Sequence, residues 1–128
     1  MRAGVDDDLS EARAAVAARD LPRLGVVAER SALRMHASAM AAEPPILYWS
    51  PVTLAAMQAL HRARQQSGLQ AYFTMDAGPH VKTLCRAEDA AAVAALLAAV
   101  PGVRGTVIAS PGPGAQLVVD ASELETTR

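Results

Sequence analysis

The chain has 128 residues, 52% of them hydrophobic and only 3% aromatic, and twelve Lys/Arg against thirteen Asp/Glu leave a formal charge of −1. That length is about one domain, and it buries roughly two-thirds of the unfolded surface, enough for a single core without disulfides or metals. A near-neutral balance without a basic run argues against nucleic acid, which requires a basic surface to displace counterions, and against an anionic membrane surface.

Much of the apolar content is alanine, which lets helices pack closely but buries little area, so Leu, Val and Met must supply the bulk of the core. Cys85 is the only cysteine, which excludes an intrachain disulfide and suits a reducing, cytoplasmic compartment. It falls in an apolar strand with nothing near it in sequence to stabilise a thiolate, so it reads as an inert thiol. Asp6-Asp7-Asp8 and the charged stretch after it lack the basic and apolar regions of a signal peptide. No apolar run reaches the roughly 18 residues of a membrane span.

Residues 1–8 are polar and are expected to fray, and Leu9–Arg19 reads as a short Ala-rich helix. Asp20 is a good N-cap with Pro22 close behind it. From there Leu21, Leu24, Ala28, Ala32, Met35 and Ala39 repeat at helical spacing to about Ala42. Pro44-Pro45 stops this helix, and Ile46–Trp49 crosses to the next as an extended link. Ser50-Pro51 starts a third helix, with Leu54, Met57, Leu60 and Arg64 on one face and Gly68 as a left-handed C-cap.

Two alternating strands follow, near residues 70–76 and 80–86, joined by Ala77-Gly78-Pro79. Glu88 and Asp89 favour the start of a fourth helix electrostatically. Val93, Leu96, Leu97 and Val100 form its buried face, and Pro101-Gly102 ends it. Val103–Ala109 and Gln116–Val119 read as two more strands around Pro111-Gly112-Pro113-Gly114. There is no repeat, linker or second domain. The order predicts an α+β two-layer sandwich in which an antiparallel sheet of about four strands carries helices on one face. The short connection at Asp76 favours an antiparallel pair there.

Several residues could carry chemistry. Tyr72, Thr74 and Asp76 share one face of their strand, and Phe73 and Met75 share the other. If the second face meets the helices, Asp76 ends the open one, beside a cleft. Spacing leaves two roles open for it: a general base or charge anchor, or a side chain that merely accepts N–H groups of the turn. His36, in a row with Ala32 and Met40, reads as a hydrogen-bonded structural residue. His61 and His80 lie on other elements, and Glu29 is nearly two turns back, so the spacing offers no metal site. Lys82, the only lysine, either projects toward a phosphorylated ligand or is solvated. Pro111-Gly112-Pro113-Gly114 superficially looks like a phosphate-cradling loop, but two of its four residues have no N–H, so it reads as a hairpin connection.

Three segments, in order, resemble the C-terminal half of bacterial mevalonate diphosphate decarboxylases. They are Glu29-Arg30-Ser31-Ala32-Leu33-Arg34-Met35-His36-Ala37, then Pro44-Pro45 opening the Ile46–Trp49 link, then Tyr72-Phe73-Thr74-Met75-Asp76-Ala77-Gly78-Pro79-His80-Val81-Lys82. The likeness covers roughly residues 20–115, and Met-Asp-Ala-Gly-Pro is its most specific element. The family belongs to the superfamily of galactokinases, homoserine kinases and mevalonate kinases. The resemblance implies an enzyme that phosphorylates the 3-hydroxyl of mevalonate 5-diphosphate with ATP and Mg2+, then releases phosphate and carbon dioxide to give isopentenyl diphosphate.

On that implication Asp76 is catalytic, orienting or deprotonating the hydroxyl. The backbone of Ala77 and Gly78 lies beside the substrate, and Lys82 helps to bind it. Two positions depart from the family pattern, His80 and Ser31, each where asparagine is common; both keep hydrogen-bonding ability. The family's Ser/Gly-rich ATP loop and substrate-binding arginine belong to an N-terminal domain that the sequence does not contain. The chain therefore reads as a C-terminal domain, cut from a longer enzyme or one part of a split one, and inactive alone. Its expected partners are phosphorylated mevalonate, an N-terminal domain or partner chain, and a second copy of itself. Left open are a decarboxylase or kinase acting on a mevalonate monophosphate, and a non-catalytic ligand-binding or dimerisation module of the same fold.

Overall fold

A computed structural model describes residues 2–117. Along them run α1 (Arg2–Ala17), α2 (Leu21–Met40), α3 (Pro51–Ser67), β1 (Tyr72–Thr74), β2 (Lys82–Leu84) and α4 (Ala90–Ala98), the last entered through one 3₁₀ turn at Ala87–Asp89.

Helix α1 begins at Arg2, well before Leu9, because the acidic lead is tied down instead of frayed. Asp8 is only 7% exposed. Its Oδ1 accepts from Arg30 at 2.9 and 2.6 Å, and its Oδ2 accepts from Arg34 at 2.9 Å. Three residues on, Glu11 takes a two-point bond from Arg23, at 2.6 and 3.0 Å. Ala15 is fully buried, whereas Val5, Leu9 and Val16 face solvent. Helix α1 is thus fastened to α2 by charge more than by apolar area.

Helix α2 starts as its sequence predicts, with Asp20 accepting from the Arg23 N–H at 3.0 Å and Pro22 in the first turn. Its buried face is not the expected stripe. Gly25, Val27, Ala32 and His36 are buried, whereas Leu24 and Ala28 are only half-buried and Met35 is exposed. The cause is that α2 is covered on two sides. Arg23, Arg30 and Arg34 meet α1, whereas Gly25, Glu29 and Ala32 meet the hairpin. His36, further along that row, meets Tyr48 and Trp49. Tyr72 lies so close to Gly25 that a Cβ there would fall within its ring.

Helix α3 is closed at both ends as expected. The Ser50 hydroxyl accepts from the Thr53 N–H at 3.1 Å, and the Thr53 hydroxyl accepts from the Ser50 N–H at 3.2 Å, a reciprocal capping box. Gly68 takes the left-handed conformation, φ 70°. After α4, Gly102 turns at φ 92°, where a side chain would both strain the backbone and come within 2.6 Å of Val52. The core draws on α2, α3, α4 and the hairpin: Ala32, Met57, Leu60, Ala71, Phe73, Met75 and Val93.

The sheet departs from expectation. Instead of about four strands, the described residues hold one antiparallel pair of three residues each, with Tyr72 opposite Leu84, Phe73 opposite Thr83 and Thr74 opposite Lys82. Val103–Ala109 forms no strand, nor do Gln116 and Leu117, and Val118 and Val119 lie outside the described residues. Val107 is 93% exposed, and this stretch has no neighbouring strand. No strand can add to the outer edge of β1, because Glu29 and Arg64 occupy the Phe73 N–H and the Ala71 carbonyl. Nor are the helices confined to one face. Tyr72 and Phe73 point to opposite faces; Gly25 of α2 meets the first and Ala32 of α2 shares a cluster with the second. Helix α2 therefore runs along the sheet edge.

Gly25→Ala should drive its methyl into Tyr72 and destabilise the chain by about 1–3 kcal/mol, as read from the shift in urea midpoint. An unchanged midpoint would mean that the close approach at Tyr72 is not fixed. Acid should release α1 first. Hydrogen bonding from Arg30 lowers the pKa of Asp8, and hydrogen bonding from Arg23 lowers that of Glu11. Both pairings stabilise the fold fully above the ordinary values of 3.8 and 4.5 and are lost as pH falls below them toward the depressed folded values. Amide exchange across this range should show α1 opening before α3; simultaneous opening would contradict the ionic attachment.

Candidate functional site

Strand β1, which ends at Thr74 rather than near residue 76 and leads into Asp76, is fixed from three directions. Phe73 and Met75, 7% and 4% exposed, point into the core. On the outer edge, Glu29 accepts from the Phe73 N–H at 3.2 Å, and Arg64 donates to the Ala71 carbonyl at 2.6 Å. These two side chains also bind each other through two bonds of 2.9 and 3.0 Å. The Arg64 guanidinium sits 4.5 Å above the centre of the Tyr72 ring, a cation–π contact. Both ion-pair members are mostly buried, at 20% and 15% side-chain exposure. Backbone groups at this edge would otherwise need a strand or water; here a carboxylate and a guanidinium satisfy them.

Immediately after buried Met75 the chain surfaces. Asp76 is exposed, its side chain 85% so, and it pairs with Lys82. Lys82 lies opposite Thr74 across the ladder, which places its ammonium within reach of the carboxylate two residues further on. An ion pair this exposed contributes only about 0.2–1 kcal/mol. Its use is orientation: Lys82 engages Oδ2 and leaves Oδ1 to other partners.

The connection between the strands is longer than a tight turn, running from Met75 to Val81. It is tied inward where the buried Thr53 hydroxyl donates to the Pro79 carbonyl at 2.8 Å. The space where a Gly78 side chain would stand is open to at least 4 Å. Ala77 and His80 are exposed. Asp76, Ala77, Gly78 and Lys82 thus come together on one hairpin end. Asp76 lines neither of the two clefts described among these residues, however. The larger cleft, about 540 Å³, is lined by Gln70, Arg86 and Asp89 among others, and the smaller, about 340 Å³, by Arg62 and Gln66. The carboxylate stands on open surface.

The remaining candidates stay apart from it. His36 is 2% exposed, and it packs edge-on against Tyr48 and beside Trp49, with ring centres 5.7 and 5.4 Å away. Its Nε2 has no hydrogen-bond partner among the described residues, where a hydrogen bond was expected, and the two aromatic rings pack against the imidazole instead. Cys85 is half-buried, and burial raises its thiol pKa, with the charge of Asp89 adding to the effect; it is a poor nucleophile at neutral pH. Ser31 is exposed on α2.

Sequence reasoning missed Glu29, Arg64 and Thr53 as supports of the site. One signal was available: Arg64 continues the row of Met57 and Leu60, which faces the core although Leu54, expected on the same face, is exposed, and a charge on a core-facing row calls for a buried partner. Arg64→Met should leave Glu29 unpaired and cost about 3 kcal/mol. Changing both members to Met and Leu should cost less than the sum of the single changes, as read in a urea double-mutant cycle; simple additivity would break the link between them.

The family model for the mevalonate 5-diphosphate decarboxylase C-terminal domain matches residues 1–118. Among solved structures, the mevalonate diphosphate decarboxylase from Enterococcus faecalis is 44% identical over 73% of this chain, with a TM-score of 0.69. The enzyme from Staphylococcus aureus is 39% identical over 73%, with a TM-score of 0.70. A third structure, MDDEF in complex with MVAPP, AMPPCP and magnesium, is 44% identical over 73% of the chain, with a TM-score of 0.69. The matches take up 29%, 28% and 28% of those chains respectively, so this chain spans less than a third of their length. No curated protein sequence matches it.

Proposed function

We propose a function on the premise that the chain belongs to the mevalonate 5-diphosphate decarboxylase C-terminal domain family: it presents Asp76 to the 3-hydroxyl of mevalonate 5-diphosphate within an ATP-dependent decarboxylase that yields isopentenyl diphosphate. One observation supports this reading above the others. The strand is braced on both faces and along its edge, yet just beyond its end stands a carboxylate left open and aimed outward. A residue that served only its own turn would gain nothing from that bracing.

Two features of the described residues argue against a site for ATP and magnesium among them. Pro111 and Pro113 remove two N–H groups from the one segment that resembles a phosphate loop. Among the described residues no three His, Cys, Asp or Glu side chains converge to hold a metal ion. We assign nucleotide and metal to the remainder of the family fold, an N-terminal domain or partner chain, and derive no step through them. That domain is also the proposed cover for Asp76. A cytoplasmic location remains part of the proposal; among the described residues no helix is long and apolar enough to cross a membrane.

What this chain supplies is a proton acceptor in a fixed direction. Lys82 holds one carboxylate oxygen of Asp76, and the free oxygen is left to accept the hydrogen bond of the tertiary alcohol and then its proton, which leaves the alcohol as the alkoxide and Asp76 as the acid. Ala77 is exposed and the space beside Gly78 is open to at least 4 Å, so a branched carbon approaching Gly78 meets no side chain there. Much of the rate gain from such an arrangement comes from position: the acceptor must already lie in line when the substrate arrives.

In an enzyme assembled with the N-terminal portion, Asp76→Asn should cut ATP-dependent carbon dioxide release by on the order of a hundredfold or more, with little change in urea midpoint. Near-normal turnover would return Asp76 to a turn-capping role. The chain assayed alone should release no carbon dioxide; activity without the N-terminal portion would refute the dependence on it.

A further inference from the structure

We infer that Thr53, on a different element from the reactive carboxylate, is a positioning residue that sets the conformation of the loop carrying Asp76. The inference rests on the reading of Asp76 above for its functional meaning but not for its structural content. Thr53 is 3% exposed in the first turn of α3. Its hydroxyl does two things at once. As an acceptor it takes the Ser50 N–H at 3.2 Å, and as a donor it gives its one proton to the Pro79 carbonyl at 2.8 Å. A hydroxyl has one proton to donate, so the Ser50 hydroxyl, 2.9 Å away, must donate to Thr53 in its turn. The chain of donors therefore runs one way, Ser50 hydroxyl to Thr53 hydroxyl to Pro79 carbonyl.

The choice of acceptor matters. Pro79 has a ring-locked φ, so pinning its carbonyl fixes the peptide plane that follows and limits the paths open to Asp76, Ala77 and Gly78 before it. The Asp76–Lys82 pair, the other tie in this loop, lies in solvent, where such pairs are weak. Gly78 has no atom near its open side to hold it. Between buried Met75 and core-packed Val81, the loop is thus tied by one buried bond to a capped helix terminus, which is itself anchored in the core through Ala56, Met57 and Leu60.

Nitrogen-15 relaxation on the chain tests this. In the unmodified protein the amides of Ala77, Gly78 and His80 should have order parameters near 0.8, and in Thr53→Val they should fall below about 0.6. Phe73, held separately by Glu29, should not change. Thr53→Ser keeps the donor and should restore the loop. Ser50→Ala removes the cap hydroxyl but leaves the bond to Pro79, and should leave the loop ordered. Should Thr53→Val fail to fold, the unmodified chain still decides: the Thr53 hydroxyl proton should exchange slowly with water. A freely exchanging proton, an ordered loop in Thr53→Val, or equal loosening in Ser50→Ala would each overturn the inference. In the assembled enzyme Thr53→Val should lower turnover at least tenfold, with Thr53→Ser recovering it. If Asp76→Asn is active while Thr53→Val still loosens the loop, the catalytic reading fails and the positioning one stands.

Discussion

The structure depends on one ion pair used in place of a strand. A two-stranded ribbon is marginal in water, and an open edge exposes backbone groups that invite pairing with other chains. Here Glu29 of α2 and Arg64 of α3 meet over the outer edge of β1, and each also binds its backbone. The same two side chains therefore join two helices to the sheet, end the sheet on that side, and hold the Tyr72 ring between a guanidinium and Gly25. Everything downstream on β1 inherits that fix, including the point at which Asp76 leaves the core.

Such an arrangement explains what was and was not legible in the sequence. Helix ends were readable because they rest on local chemistry. Asp20, Ser50 with Pro51, and Gly68 each act within three or four residues, and each acts as its type suggests. The pairing of β1 with β2 was readable because a short connection permits only an antiparallel neighbour. The buried face of α2 was not readable. Its inward row contains a glycine, a glutamate and a histidine, which hydrophobic periodicity scores as solvent-facing. Each is there for a partner distant in sequence: Gly25 for Tyr72, Glu29 for Arg64, His36 for Tyr48 and Trp49.

The same distinction runs through α1 and the C-terminal stretch. Asp8 looked like part of a polar lead, because a carboxylate reads as exposed unless its cation is known; its cations, Arg30 and Arg34, lie 22 and 26 positions away. Val103–Ala109 looked like a strand because it is rich in residues that suit one. Composition, however, states a preference and does not provide a neighbour. At the candidate site the motif around Asp76 could be read directly, whereas its pairing with Lys82 was not anticipated and comes from the ladder register in the structure. Thr53 could not be found that way, since nothing in Ser-Pro-Val-Thr says which carbonyl the hydroxyl will meet.

One tension remains between the geometry and the chemistry proposed for it, and it clarifies the division of labour. A general base works best where water is excluded, because water competes for the hydrogen bond and screens the charges around it. Asp76 stands in water on this chain, borders neither described cleft, and has one ammonium beside it. The chain therefore supplies direction without enclosure. Under the proposed reading, enclosure comes from a surface that covers the hairpin end; the solved relatives are more than three times as long as their matched part. A covering surface can contribute shape and dryness only if the carboxylate is already held when it closes. That requirement gives a physical reason for spending a buried ion pair, a capping box and a buried threonine hydroxyl on the support of one exposed side chain.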